Sequence, residues 1–333
     1  MTKFYKMLFL SSTIMGTLIA VSSYSWMSMW IGLEINLLSI IPLLSEQNNI
    51  YSSESALKYF ITQALASAIL LFSIILSLNI SESPQLPNMF SMMILNSALL
   101  TKMGAAPFHT WFPEVMEGLN WNNSIIMLTW QKIAPMVLIM YSPQMTTFMT
   151  MIIIMSTIIS GVLGINQISM RKIMAYSSIN HIGWMIGSML NCQSIWLIYF
   201  IIYSIITINI IIILKLLNIF YLKQLFNSLN FNKPLKFMFI MNFLSLGGLP
   251  PFLGFMPKWL TINNLVQNGF FMLSVLLILF TLMTLFFYLR ITFSTMMINS
   301  NETLMYQDKK TSFTIMFINA LSLMGLIACT LMF

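Results

Sequence analysis

The chain has 333 residues, of which 58% are hydrophobic and only 7% are charged. Because soluble domains carry about 25% charged residues, this composition excludes a soluble globular protein and predicts an all-α polytopic membrane protein. The net charge of +7 is typical of the basic residues that such proteins place on one side of the membrane, so it does not indicate a nucleic-acid partner.

Apolar segments long enough to cross a bilayer follow one another along the whole chain. A spanning helix needs about 20 apolar residues, and this criterion predicts eleven transmembrane helices. The predicted spans are 4–22, 26–44, 56–80, 88–105, 124–142, 146–165, 173–190, 194–220, 236–256, 263–295 and 312–333. The segment 106–121 is too short to span, and we interpret it as the second half of a discontinuous fourth helix.

Basic residues fall at alternate ends of these spans, and the opposite loops carry almost no charge beyond Glu82. Basic residues mark the inner side of a membrane protein, so the N-terminus is expected inside and the C-terminus outside. The basic residues at the inner ends are Lys3, Lys6, Lys58, Arg171, Lys172, Lys223, Lys233, Lys236, Arg290, Lys309 and Lys310.

Two apolar runs end in the same interrupted pattern. "APFHTWFPEVM" at 106–116 and "PPFLGFMPKWL" at 250–260 both read Pro-Phe, four residues, Pro, with an offset of 144 residues. They close the fourth and ninth predicted spans, so the two halves of the chain would have opposite orientations in the membrane. Paired interruptions in corresponding positions of two halves are typical of transporters built from inverted repeats.

Four charges lie inside predicted spans or beside these interruptions. Glu34 and Lys132 lie near the middle of the second and fifth spans, Lys102 precedes the first interruption, and Lys258 follows the second. Each charge costs about 2.5–3.5 kcal/mol at the centre of a spanning helix, so four of them predict a polar path through the protein. A buried ion pair between Glu34 and a lysine, serving helix packing alone, stays open as the alternative.

Two further residues are weaker candidates for this path. Lys58 begins the third span on the inner side, where snorkelling explains its charge as well as a role in tuning Glu34 does. His181 lies within the seventh span beside Ser177, Ser178 and Asn180, so it is either a packing residue or a proton relay. A lysine that alternates between apolar surroundings and a nearby carboxylate can take up and release protons, without metal or cofactor.

The motifs that bind common redox cofactors and nucleotides are missing from the sequence. Cys192 and Cys329 are far apart, which excludes a cysteine-ligated iron–sulfur cluster, and His109 and His181 form no H-E-x-x-H zinc motif. Neither a G-x-G-x-x-G motif nor a P-loop occurs. We therefore expect no cofactor or metal in this chain.

Several segments that carry these charges resemble one family, the antiporter-like proton-pumping subunits of mitochondrial NADH:ubiquinone oxidoreductase (respiratory complex I). The matching segments run in order along nearly the whole chain. They are "GLEINLLSIIPLL", "ESALKYFITQALAS", "LLTKMGAAPFHTWFPEVMEGL", "TWQKIAPM", "RKIMAYSSINHIGWM" and "LSLGGLPPFLGFMPKW".

The resemblance implies two inverted five-helix repeats with discontinuous helices, over 1–143 and 144–297, followed by a loop and C-terminal helix over 298–333. It also implies roles along a hydrated Glu/Lys axis. Glu34, Lys58 and Lys102 belong to the first half-channel, Lys132 connects the halves, and Lys258 belongs to the second half-channel toward the intermembrane space. His181 matches a histidine on the polar axis between Lys132 and Lys258. Glu114, rather than Lys102, aligns with Lys258 under the 144-residue offset, so the lysines are not equivalent.

The resemblance further implies a subunit of a proton-translocating NADH:ubiquinone reductase in the mitochondrial inner membrane, with the N-terminus in the matrix and the C-terminus in the intermembrane space. NADH, FMN, iron–sulfur clusters and ubiquinone would bind to partner subunits. The expected partners are other membrane-arm subunits and membrane lipids, and no homo-oligomer is expected. A stand-alone or Mrp-like cation/proton antiporter, and a structural membrane-arm subunit with a closed channel, stay open as alternatives.

Overall fold

A computed structural model describes residues 4–46, 49–80, 89–142, 145–229, 233–250, 252–297 and 319–320. These residues contain α-helices and one isolated β-bridge, between Ser169 and Tyr221, but no β-strand. The all-α prediction is therefore confirmed for the described part of the chain.

The helices before the middle of the chain are α1 (Phe4–Ser22), α2 (Trp26–Leu44), α3 (Ile50–Ile80), α4 (Met89–Met103), α5 (Trp111–Gly118), α6 (Trp121–Leu128) and α7 (Trp130–Tyr141). Those after it are α8 (Thr146–Ile165), α9 (Met170–Met189), α10 (Gln193–Leu216), α11 (Leu222–Leu229), α12 (Lys233–Gly247), α13 (Phe255–Gln267) and α14 (Phe271–Met297).

Seven helical segments in the described residues are long and apolar enough to cross a membrane. They are α1, α2, α3, the pair α6 and α7 taken together, α8, α10 and α14. The predicted spans 4–22, 26–44 and 146–165 coincide with α1, α2 and α8. The eleventh predicted span, 312–333, lies outside the described residues except at 319–320.

Three predicted spans differ from the helices observed. The span 124–142 is divided at Thr129 into α6 and α7, and the span 236–256 ends at Gly247. The predicted span 263–295 is two helices, because α13 occupies Phe255–Gln267 and a glycine with φ of +81°, Gly269, separates it from α14. Glycine adopts this left-handed backbone without the strain that a side chain would add, so it can end a helix abruptly.

The chain divides into two compact units, Met1–Ile152 and Ile153–Phe333. In the first unit, α1 and α2 approach closely because each presents a glycine to the other. A Cβ on Gly16 would lie 2.8 Å from the Asn36 nitrogen, and a Cβ on Gly32 would lie 2.6 Å from the Ala20 nitrogen. Small residues at such crossings are how membrane helices gain packing contacts, since the bilayer offers no hydrophobic force between them.

In the second unit, α9 is buried all round although it is one of the more polar helices of the chain. Every residue from Ile173 to Met189 is buried, including Ser177, Ser178, Asn180 and His181. A helix buried on all faces in a membrane protein holds its polar groups away from lipid. The second unit therefore has a polar helix at its centre.

One helix interruption in the first unit has the same geometry as one in the second unit. α4 ends at Met103 and α5 begins at Trp111, while α12 ends at Gly247 and α13 begins at Phe255. The first residue after each ended helix is a glycine in the left-handed region, with φ of +74° at Gly104 and +76° at Gly248. Helix ends, glycines and helix starts are thus all 144 residues apart, which is the offset of the Pro-Phe pattern in the sequence.

Candidate functional site in the buried charges

A hydrogen-bonded group of polar side chains lies inside the first unit, between α2, α3 and α7. Asn36 and Gln131 exchange two side-chain hydrogen bonds of 3.0 Å, each amide nitrogen donating to the other's oxygen. The Tyr59 hydroxyl donates a longer bond of 3.4 Å to the Gln131 oxygen. These residues are buried, so each bond satisfies groups that lipid or apolar side chains would leave unpaired.

Lys102 lies against this group, in the last turn of α4. It is 7% exposed, and it lines a small cavity together with Asn36, Tyr59, Gln63 and Gln131. The Lys102 carbonyl accepts a bond of 3.4 Å from the Gln63 amide, which ties the end of α4 to α3. A cavity with polar walls beside a buried ammonium is the kind of place where ordered water replaces missing protein partners.

Glu34 projects from α2 toward the same region. Its charge and that of Lys102 are near enough to attract each other, but no direct ion pair joins the two side chains within the described residues. The Glu34 Oε1 atom is buried and accepts no hydrogen bond from the described residues. A buried carboxylate oxygen gains from any hydrogen-bond donor that reaches it, because leaving it unpaired costs free energy.

Lys132 lies at the start of α7, where the fifth predicted span is interrupted. Its side chain is 1% exposed, and its ammonium is 5.6 Å from the centre of the Phe112 ring on α5. This separation allows a cation–π attraction, which gains strength away from water. The half-helix after the first interruption therefore supplies an aromatic face to the central lysine.

Lys58 forms ion pairs with two carboxylates. Its ammonium is 3.1 Å from Glu54, one turn earlier on α3, and 3.1 Å from Glu114 on α5. All three side chains are about half exposed, with Lys58 at 43%. The structure thus places Lys58 beside Glu54 and Glu114, whereas the sequence pointed to Glu34 as its neighbour.

In the second unit, Lys258 is held by the end of the interrupted helix α12. Its ammonium donates hydrogen bonds of 2.8 Å to the Gly247 carbonyl and 3.3 Å to the Leu246 carbonyl. The last carbonyls of a helix have no partner within it and carry the negative end of the helix dipole, so they attract a cation. The interruption therefore provides a seat for the ammonium, and the Trp184 ring lies 5.8 Å away on another side.

Gly248 is the residue that gives Lys258 room to reach this seat. A Cβ at position 248 would lie 2.7 Å from Lys258 Cδ and 3.0 Å from Nζ, and its φ of +76° favours glycine independently. The equivalent end of α4 is closed differently. There the Trp111 indole donates a bond of 3.1 Å to the Thr101 carbonyl.

His181 lies in an aromatic cluster of the second unit. Its Nδ1 is 2.8 Å from the Tyr199 hydroxyl, and its ring centre is 5.1 Å from that of Tyr203. All three residues line a cavity with room for about one water molecule. Leu246 also lines this cavity, and its carbonyl is one of the two that hold Lys258.

The sequence missed three contributors to these sites. They are the Asn36–Gln131 amide pair, the Tyr199 hydroxyl and the interruption at Thr129. The amide pair joins positions 95 residues apart, and "LTWQK" contains no glycine or proline to signal an interruption. Tyr199 is one of several polar residues in its predicted span, together with Ser204, Thr207 and Asn209, so the sequence does not single it out.

Among the described residues, neither a metal site nor a larger cavity involves the buried lysines. The described residues contain no group of three His, Cys, Asp or Glu side chains that could hold a metal ion. A larger cavity of about 430 Å³ lies between the end of α8, α11 and α14, with Arg290 among its lining residues. It is wide and open, and none of the buried lysines lines it.

Comparison with known proteins assigns this arrangement to a family. The family model described as NADH:quinone oxidoreductase/Mrp antiporter, TM, matches residues 23–284. A protein of Anopheles gambiae named NADH-ubiquinone oxidoreductase chain 2 is 46% identical over all of this chain and 99% of that relative. A protein of the same name from Aedes aegypti is 48% identical, again over 100% of this chain and 99% of the relative.

Solved structures show the same fold at low sequence identity. A chain of respiratory complex I from Thermus thermophilus, solved with bound aureothin, superposes with a TM-score of 0.87 at 22% identity. It matches 99% of this chain and 79% of its own length. A chain of the Mrp complex from a Dietzia species has a TM-score of 0.81 at 13% identity, over 97% of this chain and 75% of its own length.

Proposed function

The chain belongs to the NADH:quinone oxidoreductase/Mrp antiporter family, and we propose that it is a proton-translocating membrane-arm subunit of an NADH-ubiquinone oxidoreductase. The observation that carries the proposal is the burial of Lys102, Lys132 and Lys258 in a membrane protein, each 7% exposed or less. Neither Lys102 nor Lys258 forms a direct ion pair with a carboxylate in the described residues. Buried cations without a fixed counter-charge are poor packing elements, but they suit a group that exchanges protons.

The proposed path uses residues of both units. Glu34, Lys58 and Lys102 would handle the proton in the first half-channel, and Lys258 would handle it in the second. Lys132 would connect the halves, and His181 would lie on the axis between Lys132 and Lys258. The small polar cavity beside Lys102 and the one beside His181 support water-assisted transfer at these points. No step requires a metal or an organic cofactor in this chain.

The proposed architecture has eleven transmembrane helices and two inverted five-helix repeats, 1–143 and 144–297, with a loop and last helix over 298–333. The matched interruptions support it, since helix end, left-handed glycine and helix start recur after 144 residues. Family membership supports a place in the mitochondrial inner membrane, with the N-terminus in the matrix and the C-terminus in the intermembrane space. NADH, FMN, iron–sulfur clusters and ubiquinone would bind to partner subunits, and other membrane-arm subunits and lipids would surround the chain.

Replacing Lys102 or Lys132 with Met tests this function, because Met keeps much of the side-chain length and removes the charge. We expect NADH-driven proton pumping by the assembled complex, in sealed vesicles, to fall several-fold in either variant. Lys215→Met is the matched control, since Lys215 is an exposed lysine in the last turn of α10, and pumping should stay near the unsubstituted level. Normal pumping by fully assembled Lys102→Met and Lys132→Met complexes would refute the proposal.

Two other functions give different results in the same experiments. A cation/proton antiporter is favoured by the fold shared with the Mrp complex, and it predicts Na⁺-dependent proton exchange by the chain outside any NADH-oxidising assembly. Recovery of the chain only within such an assembly argues against it. A structural subunit with a closed channel predicts that the lysine substitutions lower the amount of assembled complex while leaving pumping per complex unchanged.

A further inference from the structure

The Tyr199 hydroxyl lies 2.8 Å from His181 Nδ1, within hydrogen-bond distance, inside the second unit. Both residues are buried, with Tyr199 at 1% and His181 at 4% exposure. A buried imidazole bonded to a hydroxyl is fixed in orientation, and the tautomer it adopts depends on which of the two groups donates. Tyr199 therefore fixes the orientation of the His181 ring and influences which of its nitrogens carries the proton.

The cavity beside this pair adjoins residues that neighbour or bind Lys258. Leu246 and Pro257 both line it; the Leu246 carbonyl accepts a bond from the Lys258 ammonium, and Pro257 precedes Lys258 in the chain. Tyr203 also lines this cavity, but its hydroxyl is engaged by Ser178. The cavity has room for about one water molecule.

We propose that Tyr199 is a proton-relay residue that links His181 to Lys258 through a single water molecule. In this step the Lys258 ammonium gives a proton to the water and becomes a neutral amine. The water passes one of its protons to the Tyr199 oxygen, and the hydroxyl proton of Tyr199 moves to His181 Nδ1. The products are a neutral lysine, an intact tyrosine and an imidazolium whose Nδ1–H donates to Tyr199, so atoms and charge balance.

This inference rests on the proposed function, and Tyr199→Phe tests it in the assembled NADH-oxidising complex. The substitution removes the hydroxyl and keeps the ring that packs in the cluster. We expect pumping per assembled complex to fall about tenfold, as for loss of a hydrogen bond to a group that becomes charged. The solvent deuterium isotope effect on pumping should rise as well, because proton transfer then limits the rate.

Tyr203→Phe is the matched control. Tyr203 lines the same cavity and stacks on His181, but its hydroxyl is not the partner of Nδ1. We expect this variant to lose less than about twofold in pumping, with an unchanged isotope effect. A purely packing role for Tyr199 would instead make the two variants alike, and that result would overturn the relay.

A double substitution covers the case in which Tyr199→Phe assembles poorly. Residues that act as one unit are not additive, so Tyr199→Phe with His181→Gln should pump no worse per assembled complex than His181→Gln alone. Additive losses would overturn the relay whatever the yield of complex. If Lys258→Met removes pumping while Tyr199→Phe matches its control, the relay fails and the proposed function stands. If Lys102→Met, Lys132→Met and Lys258→Met all pump normally, both fail.

Discussion

At the scale of single residues, different groups replace the lost water around each buried lysine. Lys258 donates to helix-terminal carbonyls, Lys132 faces an aromatic ring, and Lys102 lies beside a polar cavity near Glu34. The N–H groups of a buried ammonium need hydrogen-bond acceptors. A tight ion pair with a carboxylate would hold the proton on the lysine, so weaker acceptors suit a lysine that must release it. Carbonyls, a ring face and water all meet that need with moderate strength.

Gly248 is the residue whose replacement most directly tests the seat of Lys258. In Gly248→Ala, the new methyl group would press against Lys258 Cδ and Nζ, and alanine is disfavoured at φ of +76° by about 1–2 kcal/mol. We expect lower resistance of the assembled complex to heat and a several-fold loss of pumping per complex. Both can be followed in one set of membranes, by activity after graded heating and by initial pumping rates.

Gly247→Ala is the control for that experiment. A Cβ at Gly247 would meet no atom closer than 3.8 Å, and alanine suits the end of a helix better than glycine does. The variant should therefore behave like the unsubstituted protein or slightly better. If Gly247→Ala and Gly248→Ala lower heat resistance and pumping equally, the absence of a side chain at 248 is not what makes room for Lys258.

At the scale of elements, the second halves of the two interrupted helices perform different tasks. α13 carries Lys258, whose ammonium binds the carbonyls at the end of α12. α5 instead carries Trp111, whose indole donates to the end of α4, and Phe112, whose ring lies near the Lys132 ammonium. The position equivalent to Lys258 on α5 is Glu114, which pairs with Lys58 on α3. One backbone arrangement thus carries two chemistries, and the side chain at one position decides between them.

Packing, rather than the ion pair with Lys58, should anchor α5 to α3. A Cβ at Gly118 would lie 2.5 Å from the Tyr51 carbonyl oxygen, so Gly118→Ala would force the two helices apart. Exposed ion pairs contribute only about 0–1 kcal/mol, so Glu114→Gln should change stability little. We expect heat resistance of the assembled complex to fall clearly in Gly118→Ala alone. A larger loss in Glu114→Gln would assign the anchoring to the ion pair.

The elements also show what the sequence could and could not predict. The spans 4–22, 26–44 and 146–165 were predictable because apolar length and flanking polar residues define them. The interruptions at Gly104 and Gly248 were predictable because glycine and proline signal them. The interruption at Thr129 has no such signal, and the partners of Lys258 are backbone carbonyls, whose positions follow from where α12 ends in space.

At the scale of the whole molecule, charge is distributed very unevenly. No aspartate or glutamate occurs between Glu117 and Glu302, although this stretch contains Arg171, Lys172, Lys258, Arg290 and five further lysines. The second unit therefore has basic residues at its predicted inner ends and one buried lysine, without a carboxylate among its described residues. The orientation proposed for the chain depends on this distribution.

Labelling of Cys192 tests that orientation. Cys192 follows α9, is a free and partly exposed thiol, and lies in a loop predicted to face the intermembrane space. A membrane-impermeant maleimide should label it in mitochondria whose outer membrane has been opened. A cysteine introduced by Lys223→Cys, at an exposed position of α11 on the predicted inner side, should react only in inverted vesicles. The opposite pattern would reverse the proposed topology, and labelling after detergent denaturation controls for thiols that partners cover.

The glycine that makes room for Lys258 makes the residues allowed at positions 248 and 258 depend on each other. Because Lys258 occupies the space that a side chain at 248 would fill, we expect any residue other than glycine at 248 to displace the lysine from the carbonyls of α12. Arginine is no substitute, since its broad guanidinium does not fit a seat made for an ammonium and holds its proton too firmly to relay one. Among relatives that keep this interruption, we expect residues 248 and 258 to vary together, with lysine found only where glycine stands ten positions before it.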